Sequence, residues 1–147
     1  FWIEFSAGFV GIPEIQTLER SMFPVSIKGV LLTSEHEVLL AYNRRDEWEL
    51  PGGRIEVGEQ PHQTVVREFL EEANVRVQAQ QLIDTYLFEV LPGEHVFIAT
   101  YGCVLDGPFM PTVSHEHHKL GLFPITALPQ NLPIGYRRSI EAWHAAL

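Results

Sequence analysis

Glu68, Glu71 and Glu72 stand at i, i+3 and i+4 within REFLEEAN (67–74). In a helix, which turns by about 100° per residue, these three carboxylates share one face. Like charges at such spacings oppose one another by roughly 0.2–0.5 kcal/mol per pair. Only Arg67 lies close enough in sequence to offset them. A solvated acidic face explains the pattern as simply as a functional one does. Val66, Phe69, Leu70 and Ala73 supply the apolar stripe of an amphipathic helix on the other side. A hard divalent cation takes oxygen ligands and would turn the same repulsion into attraction. The neighbouring residues decide between these readings.

From Gly53 the chain reads GRIEVGEQPHQTVVREFLEEANV. Five residues separate Gly53 from Glu59, seven more lead to Arg67-Glu68-Phe69, and Glu71-Glu72 follows after one residue. Six fixed residue types at set places coincide by chance on the order of 10⁻⁷ per starting point. This stretch resembles the Nudix box, G-x5-E-x7-R-E-U-x-E-E-x-G-U with U a bulky apolar residue. It departs from the box only at Asn74, where Gly is usual; both residues tolerate the left-handed backbone of a helix end. WELPGGRIEVGE (48–59) is similar to the usual approach to the box. SHEHHKLGLFPITALP (114–129) resembles a downstream S-x-E-H…WFPLDELP region, with Leu122 in place of Trp. The resemblance runs from about Val25 to Pro129.

The resemblance implies a metal-dependent hydrolase that cleaves the diphosphate linking a nucleoside to another moiety, with Mg²⁺ (or Mn²⁺) as cofactor. The chemistry suits the residues. A diphosphate repels a water nucleophile, and divalent ions on its oxygens neutralise charge and lower the pKa of bound water. By resemblance, Glu68 and Glu72 are the expected metal ligands, followed by Glu71, and the Gly52 carbonyl can add another oxygen. Arg67 takes an orienting part in the catalytic set, since it can reach Glu71 at i+4. Glu59 and Gly58 shape the loop, and Gly53 lets backbone approach phosphate closely. Glu116, which matches S-x-E-H, is the first downstream candidate for the general base, and Glu94 is the second. Exposed loop carboxylates would look the same.

Arg44, Arg45 and Arg54 flank the glycine loop and can grip phosphate through paired hydrogen bonds, although surface arginines are usually only solvated. Trp48, Tyr86 and Phe88 can stack on a base; packing within the sheet is the plainer account of each. His115, His117 and His118 crowd around Glu116 without the H-E-x-x-H spacing of a helical zinc site. A polar loop explains them. Pro92 lies 17 residues beyond Val75, close to the proline that marks ADP-ribose-cleaving members of the family. The expected substrate is therefore ADP-ribose or another nucleoside diphosphate sugar. Nucleoside triphosphates, oxidised ones included, are the alternative. A binding module that holds nucleotide without cleaving it would usually have lost a box glutamate, and all are present here. An isoprenoid diphosphate isomerase would need a catalytic cysteine, whereas Cys103 falls in an expected strand.

The elements around the box follow from pattern. VSIKGVLLT (25–33), EVLLAYNR (37–44) and EWEL (47–50) read as strands, the last stopped by Pro51-Gly52-Gly53. A helix is expected from about Pro61 to Ala73, begun by proline and ended by Asn74. VRVQAQQLIDTYLFEVL (75–91) and HVFIATYGCVL (95–105) form a hairpin around PGE, and HKLGLFPI (118–125) is a short strand. A terminal helix from about Ile134 places Ile140, Trp143, His144 and Leu147 on one face. The class is α/β or α+β: by resemblance the Nudix fold, a mixed β-sheet sandwiched between helices. Residues 1–20 are an extension of unclear role, and 21–147 are a single domain, as a monomer or homodimer. The net charge of −9 argues against nucleic acid or anionic membrane as partner. No apolar run approaches a membrane span, FWIEFSAGFVGIP lacks the pattern of a signal peptide, and a lone cysteine suits a reducing cytoplasm.

Overall fold

The computed structural model describes residues 21–115, 117 and 119–147. The N-terminal extension, Glu116 and His118 lie outside the described residues. The elements in chain order are β1 (Val25–Leu31), β2 (Glu37–Tyr42), β3 (Trp48–Glu49), β4 (Gly52–Arg54), α1 (Pro61–Ala73), β5 (Val77–Leu91), β6 (Glu94–Leu105), β7 (Lys119–Pro124) and α2 (Ile134–Ala146).

Four strands form a mixed sheet in the order β4-β1-β6-β5, in which β1 and β6 run parallel. Three more form an antiparallel sheet, β3-β2-β7. The strands are thus divided between two sheets, where the sequence reading names one. The cause lies in β1, whose edges are already taken by β4 and β6. Only one bridge, Leu32↔Val38, remains to join β1 to β2 across the SEHE turn.

Alternation along β1 sends residues to both faces of the mixed sheet. Ile27 and Leu31 pack with Val65, Phe69 and Ala73 of α1. Val30 packs with Tyr136, Ile140 and Trp143 of α2, together with Val38 and Leu40 of the smaller sheet and Leu50 just beyond β3. One helix therefore covers each face. Leu147 does not join the buried side of α2, because it lies past the last helical turn and is exposed. Among the described residues, no helix is long and apolar enough to cross a membrane.

The ends of α1 fix where its carboxylates stand. Pro61 opens the helix, and Gln63 Oε1 accepts the Gln60 N–H at 2.8 Å, which compensates for a weak capping residue. At the other end Asn74 adopts φ 54°, ψ 39°. Its N–H donates to Leu70 O, and that of Val75 donates to Phe69 O. Asparagine here does the work of a helix-ending glycine. Pro92 and Gly93 turn the β5–β6 hairpin, with Gly93 at φ 80°.

Candidate active site

The site begins where the WEL strand breaks. Gly52 has φ 148°, and a Cβ there would overlap the Ile27 carbonyl and the Lys28 Cα of β1. A Cβ on Gly53 would overlap the Glu68 carboxylate. Two glycines thus allow β4 to lie between β1 and the acidic face of α1. The Gly52 N–H donates to Glu72 Oε2 at 3.1 Å.

Glu68 and Glu72 are 9% and 5% exposed, one helical turn apart on the inner side of α1. Burial raises the pKa of both. It carries Glu72 to about 7 against the pull of Lys28 and the Gly52 N–H, and lifts Glu68 against the pull of Arg67. Glu71 is not part of this pair. Its side chain is 58% exposed and turns to Arg67 Nη1 at 3.1 Å. Spacing alone treats the three glutamates alike; packing does not.

Arg67 organises the outer side. Its Nε donates to Glu59 Oε2 at 2.7 Å, Nη1 to Glu68 Oε1 at 2.9 Å, and Nη2 to the Arg54 carbonyl at 3.1 Å. Glu59 is held at about 2, chiefly by Arg67, and accepts the Glu56 N–H and the Thr64 hydroxyl as well. The box loop, with Gly58 at φ 92°, is therefore pinned to α1 through one guanidinium.

Lys28 on β1 and Glu49 on β3, not singled out from sequence, complete the interior together with His117, which the sequence suggested as part of a polar loop and which is instead turned inward. Lys28 Nζ lies 3.8 Å from Glu49 Oε2, and His117 Nε2 lies 2.9 Å from Glu49 Oε1. Asn43 Nδ2 donates to Glu49 Oε2 at 3.2 Å. Burial would raise Glu49, but Lys28, His117 and Asn43 overturn this and hold it at about 2. The hydrogen bond to Glu49 raises the pKa of His117 in spite of its burial. The available signal was a lysine amid the apolar run VSIKGVLL, where an inward charge needs a partner.

A cavity of about 500 Å³ opens beside this cluster, within the usual size of a small-molecule site. Lys28, Arg45, Glu49, Gly53 and Arg54 form its charged side. Phe88, Val90, Val96, Ile98 and Tyr136 supply apolar lining, with Glu94 and His95 also on the wall. Arg45 and Arg54 thus reach the cavity, whereas Arg44 is exposed and does not line it. Phe88 is at the cavity, but Trp48 packs between Tyr42 and Phe123, and the Tyr86 hydroxyl is buried. Glu116 lies outside the described residues. The Cys103 thiol is buried and pushed up to about 12 by that burial, which leaves it no nucleophilic role.

The donor set fits a hard cation. Among the described residues, no three His, Cys, Asp or Glu side chains close into a cage. What converges is a pair of buried carboxylates, Glu68 and Glu72, poor hosts for negative charge without a cation nearby. An open set of carboxylate oxygens suits Mg²⁺, which usually keeps waters and shares phosphate oxygens.

A family model described as NUDIX domain matches residues 22–143. The 8-oxo-dGTP diphosphatase of Escherichia coli K12 is 33% identical over 73 residues, 46% of this chain and 56% of that protein. The match spans about half the length of the curated relatives. A MutT NUDIX hydrolase from Burkholderia pseudomallei superposes with TM-score 0.70 at 24% identity, over 83% of this chain and 98% of that one. An ADP-ribose pyrophosphatase from Streptococcus suis 89-1591 superposes with TM-score 0.66 at 23% identity, over 85% and 92%.

Proposed function

The chain belongs to the NUDIX domain family, and on that premise we propose that it hydrolyses the diphosphate linkage of a nucleoside diphosphate joined to another moiety. The observation that carries this reading is the pairing of buried Glu68 and Glu72 behind Gly52-Gly53, next to a cavity that Gly53 lines together with Lys28, Arg45, Arg54 and apolar side chains. Bound Mg²⁺ or Mn²⁺ would supply charge neutralisation and an activated water. Glu68 and Glu72 would hold it, and Arg67 fixes the orientation of Glu68. Arg45 and Arg54 meet the phosphates, while the apolar lining receives the nucleoside. Glu116 is the candidate base.

ADP-ribose or a related nucleoside diphosphate sugar is the favoured substrate, supported by the position of Pro92 beyond the box. A second reading, hydrolysis of nucleoside triphosphates including oxidised ones, is favoured by the similarity to an 8-oxo-dGTP diphosphatase. Incubating the protein with Mg²⁺ and a panel of nucleoside diphosphate sugars, nucleoside triphosphates and dinucleoside polyphosphates tests both. Release of a nucleoside monophosphate and a sugar phosphate supports the first reading, and release of pyrophosphate supports the second. No metal-dependent cleavage of any of them refutes both.

A further inference from the structure

Lys28 is a buried lysine whose ammonium has little protein to hold it. It is 6% exposed, on a strand whose neighbouring side chains Ile27 and Val30 belong to apolar cores. An ammonium brings three donors, and burying one without hydrogen bonds is costly. Among the described residues, Nζ has an ion pair with Glu49 at 3.8 Å and the Tyr136 ring at 5.8 Å, with no hydrogen bond to either. Glu49 is held down by Lys28 but takes its hydrogen bonds from elsewhere. His117 and Asn43 already donate to that carboxylate, and Arg45 Nη2 lies 3.8 Å away.

What remains for the three protons is the cavity, whose wall Lys28 shares with Gly53, Arg45 and Arg54. We propose that Lys28 donates to a non-bridging oxygen of the substrate's diphosphate, from a wall position beside the Glu68–Glu72 pair. This rests on reading the site as a diphosphate hydrolase. Burial alone would lower the lysine's pKa, but Tyr136, Glu49, Glu72 and Glu68 together raise it above the ordinary range. It therefore enters the reaction as a fixed cation. Arg45 and Arg54 are exposed, so salt screens their contacts, and Arg45 is already paired with Glu47 at 3.1 Å. Lys28 is already in place, and water screens it little. A diphosphate that shares some of its oxygens with metal held by the carboxylates still presents other negative oxygens to the cavity wall beside them. The ammonium meets them there.

Lys28→Met keeps the chain length and removes the charge. Binding of α,β-methylene-ADP with Mg²⁺, measured by titration calorimetry, is expected to weaken about ten- to a hundredfold, the range for one lost charge-assisted hydrogen bond. KM for the best substrate of the panel should rise in parallel, and Lys28→Arg should recover most of the loss. Because Lys28→Met alone leaves buried carboxylates without their cation, the double variant Lys28→Met/Glu49→Gln accompanies it and should show the same loss. Analogue affinity within twofold of wild type in either folded variant overturns the assignment, because a purely structural lysine would alter melting temperature and leave affinity alone. If wild-type protein cleaves substrate while KM is unmoved in the variants, only the role of Lys28 falls. If wild-type protein cleaves no diphosphate and does not bind the analogue, the functional reading falls with it.

Discussion

Glu72→Gln tests the central carboxylate in two opposed ways. The side chain is buried, accepts the Gly52 N–H, and has its pKa raised from 4.5 to about 7, mainly by burial. A carboxyl with a higher pKa in the fold than in the unfolded chain favours folding while protonated. Its contribution is whole below about pH 4.5 and is lost as pH rises through 7. The gap between 4.5 and about 7 corresponds to about 3 kcal/mol at 1.36 kcal/mol per pH unit. Metal-free wild type at pH 8 therefore carries a buried charge that glutamine does not. Glu72→Gln should then be more stable in EDTA at pH 8 by up to about 3 kcal/mol, or about 5–10 °C in melting temperature for a chain of this size. At pH 5 the two proteins should melt nearly together. Excess Mg²⁺ should raise the wild-type transition and leave the variant's almost unmoved, while the variant's turnover falls by orders of magnitude. Calorimetric melts at pH 5 and 8, in EDTA and in Mg²⁺, read all four conditions. Equal melting in EDTA at pH 8, or equal stabilisation by Mg²⁺, refutes the account of Glu72 as a carboxylate kept for a cation.

Other outcomes follow from the same geometry. Glu49 and Glu59 are both held at about 2, so their contributions to stability are present above about pH 4.5 and drain away toward pH 2; circular dichroism should show acid unfolding in that window, and a protein still folded at pH 2 would contradict it. Gly53→Ala sets a methyl group against the Glu68 carboxylate and should lower turnover at least tenfold with a modest loss of stability of about 1–3 kcal/mol, read by kinetics and thermal melts. The base role proposed for Glu116 rests on sequence alone; it predicts that Glu116→Gln reduces kcat more than it raises KM, and an unchanged kcat would transfer that role to a box glutamate.

The box was legible because its spacing is local. A helix from Pro61 to Ala73, a left-handed end at Asn74, and a hairpin around Pro92-Gly93 all depend on residues a few places apart, where periodicity and turn preferences act directly. Lys28, Glu49 and His117 carry no such signal. They lie 21 and 68 residues apart along the chain and meet only once β1, β3 and the loop before β7 are in place. A single charge in an apolar run shows that a partner must exist and leaves its identity to the tertiary fold. The separation of two sheets was hidden for a similar reason, since strand patterns do not say which strands pair. The edges of β1 go to β4 and to the non-local β6.

The same distinction explains why Glu71 differs from its neighbours. At i+3 and i+4 from Glu68, Glu71 and Glu72 are equivalent on a helical wheel. The side of α1 that faces β4 is set by Phe69 and Val65, both fully buried against the mixed sheet. That choice turns Glu68 and Glu72 inward and leaves Glu71 outside with Arg67. Two carboxylates are thereby raised by burial, while a third stays in solvent and helps to hold the arginine that steadies one of them. An acidic patch whose members were only solvating the helix would have no reason to bury the pair closest to two glycines. The cost of that burial is the physical ground for expecting a cation there.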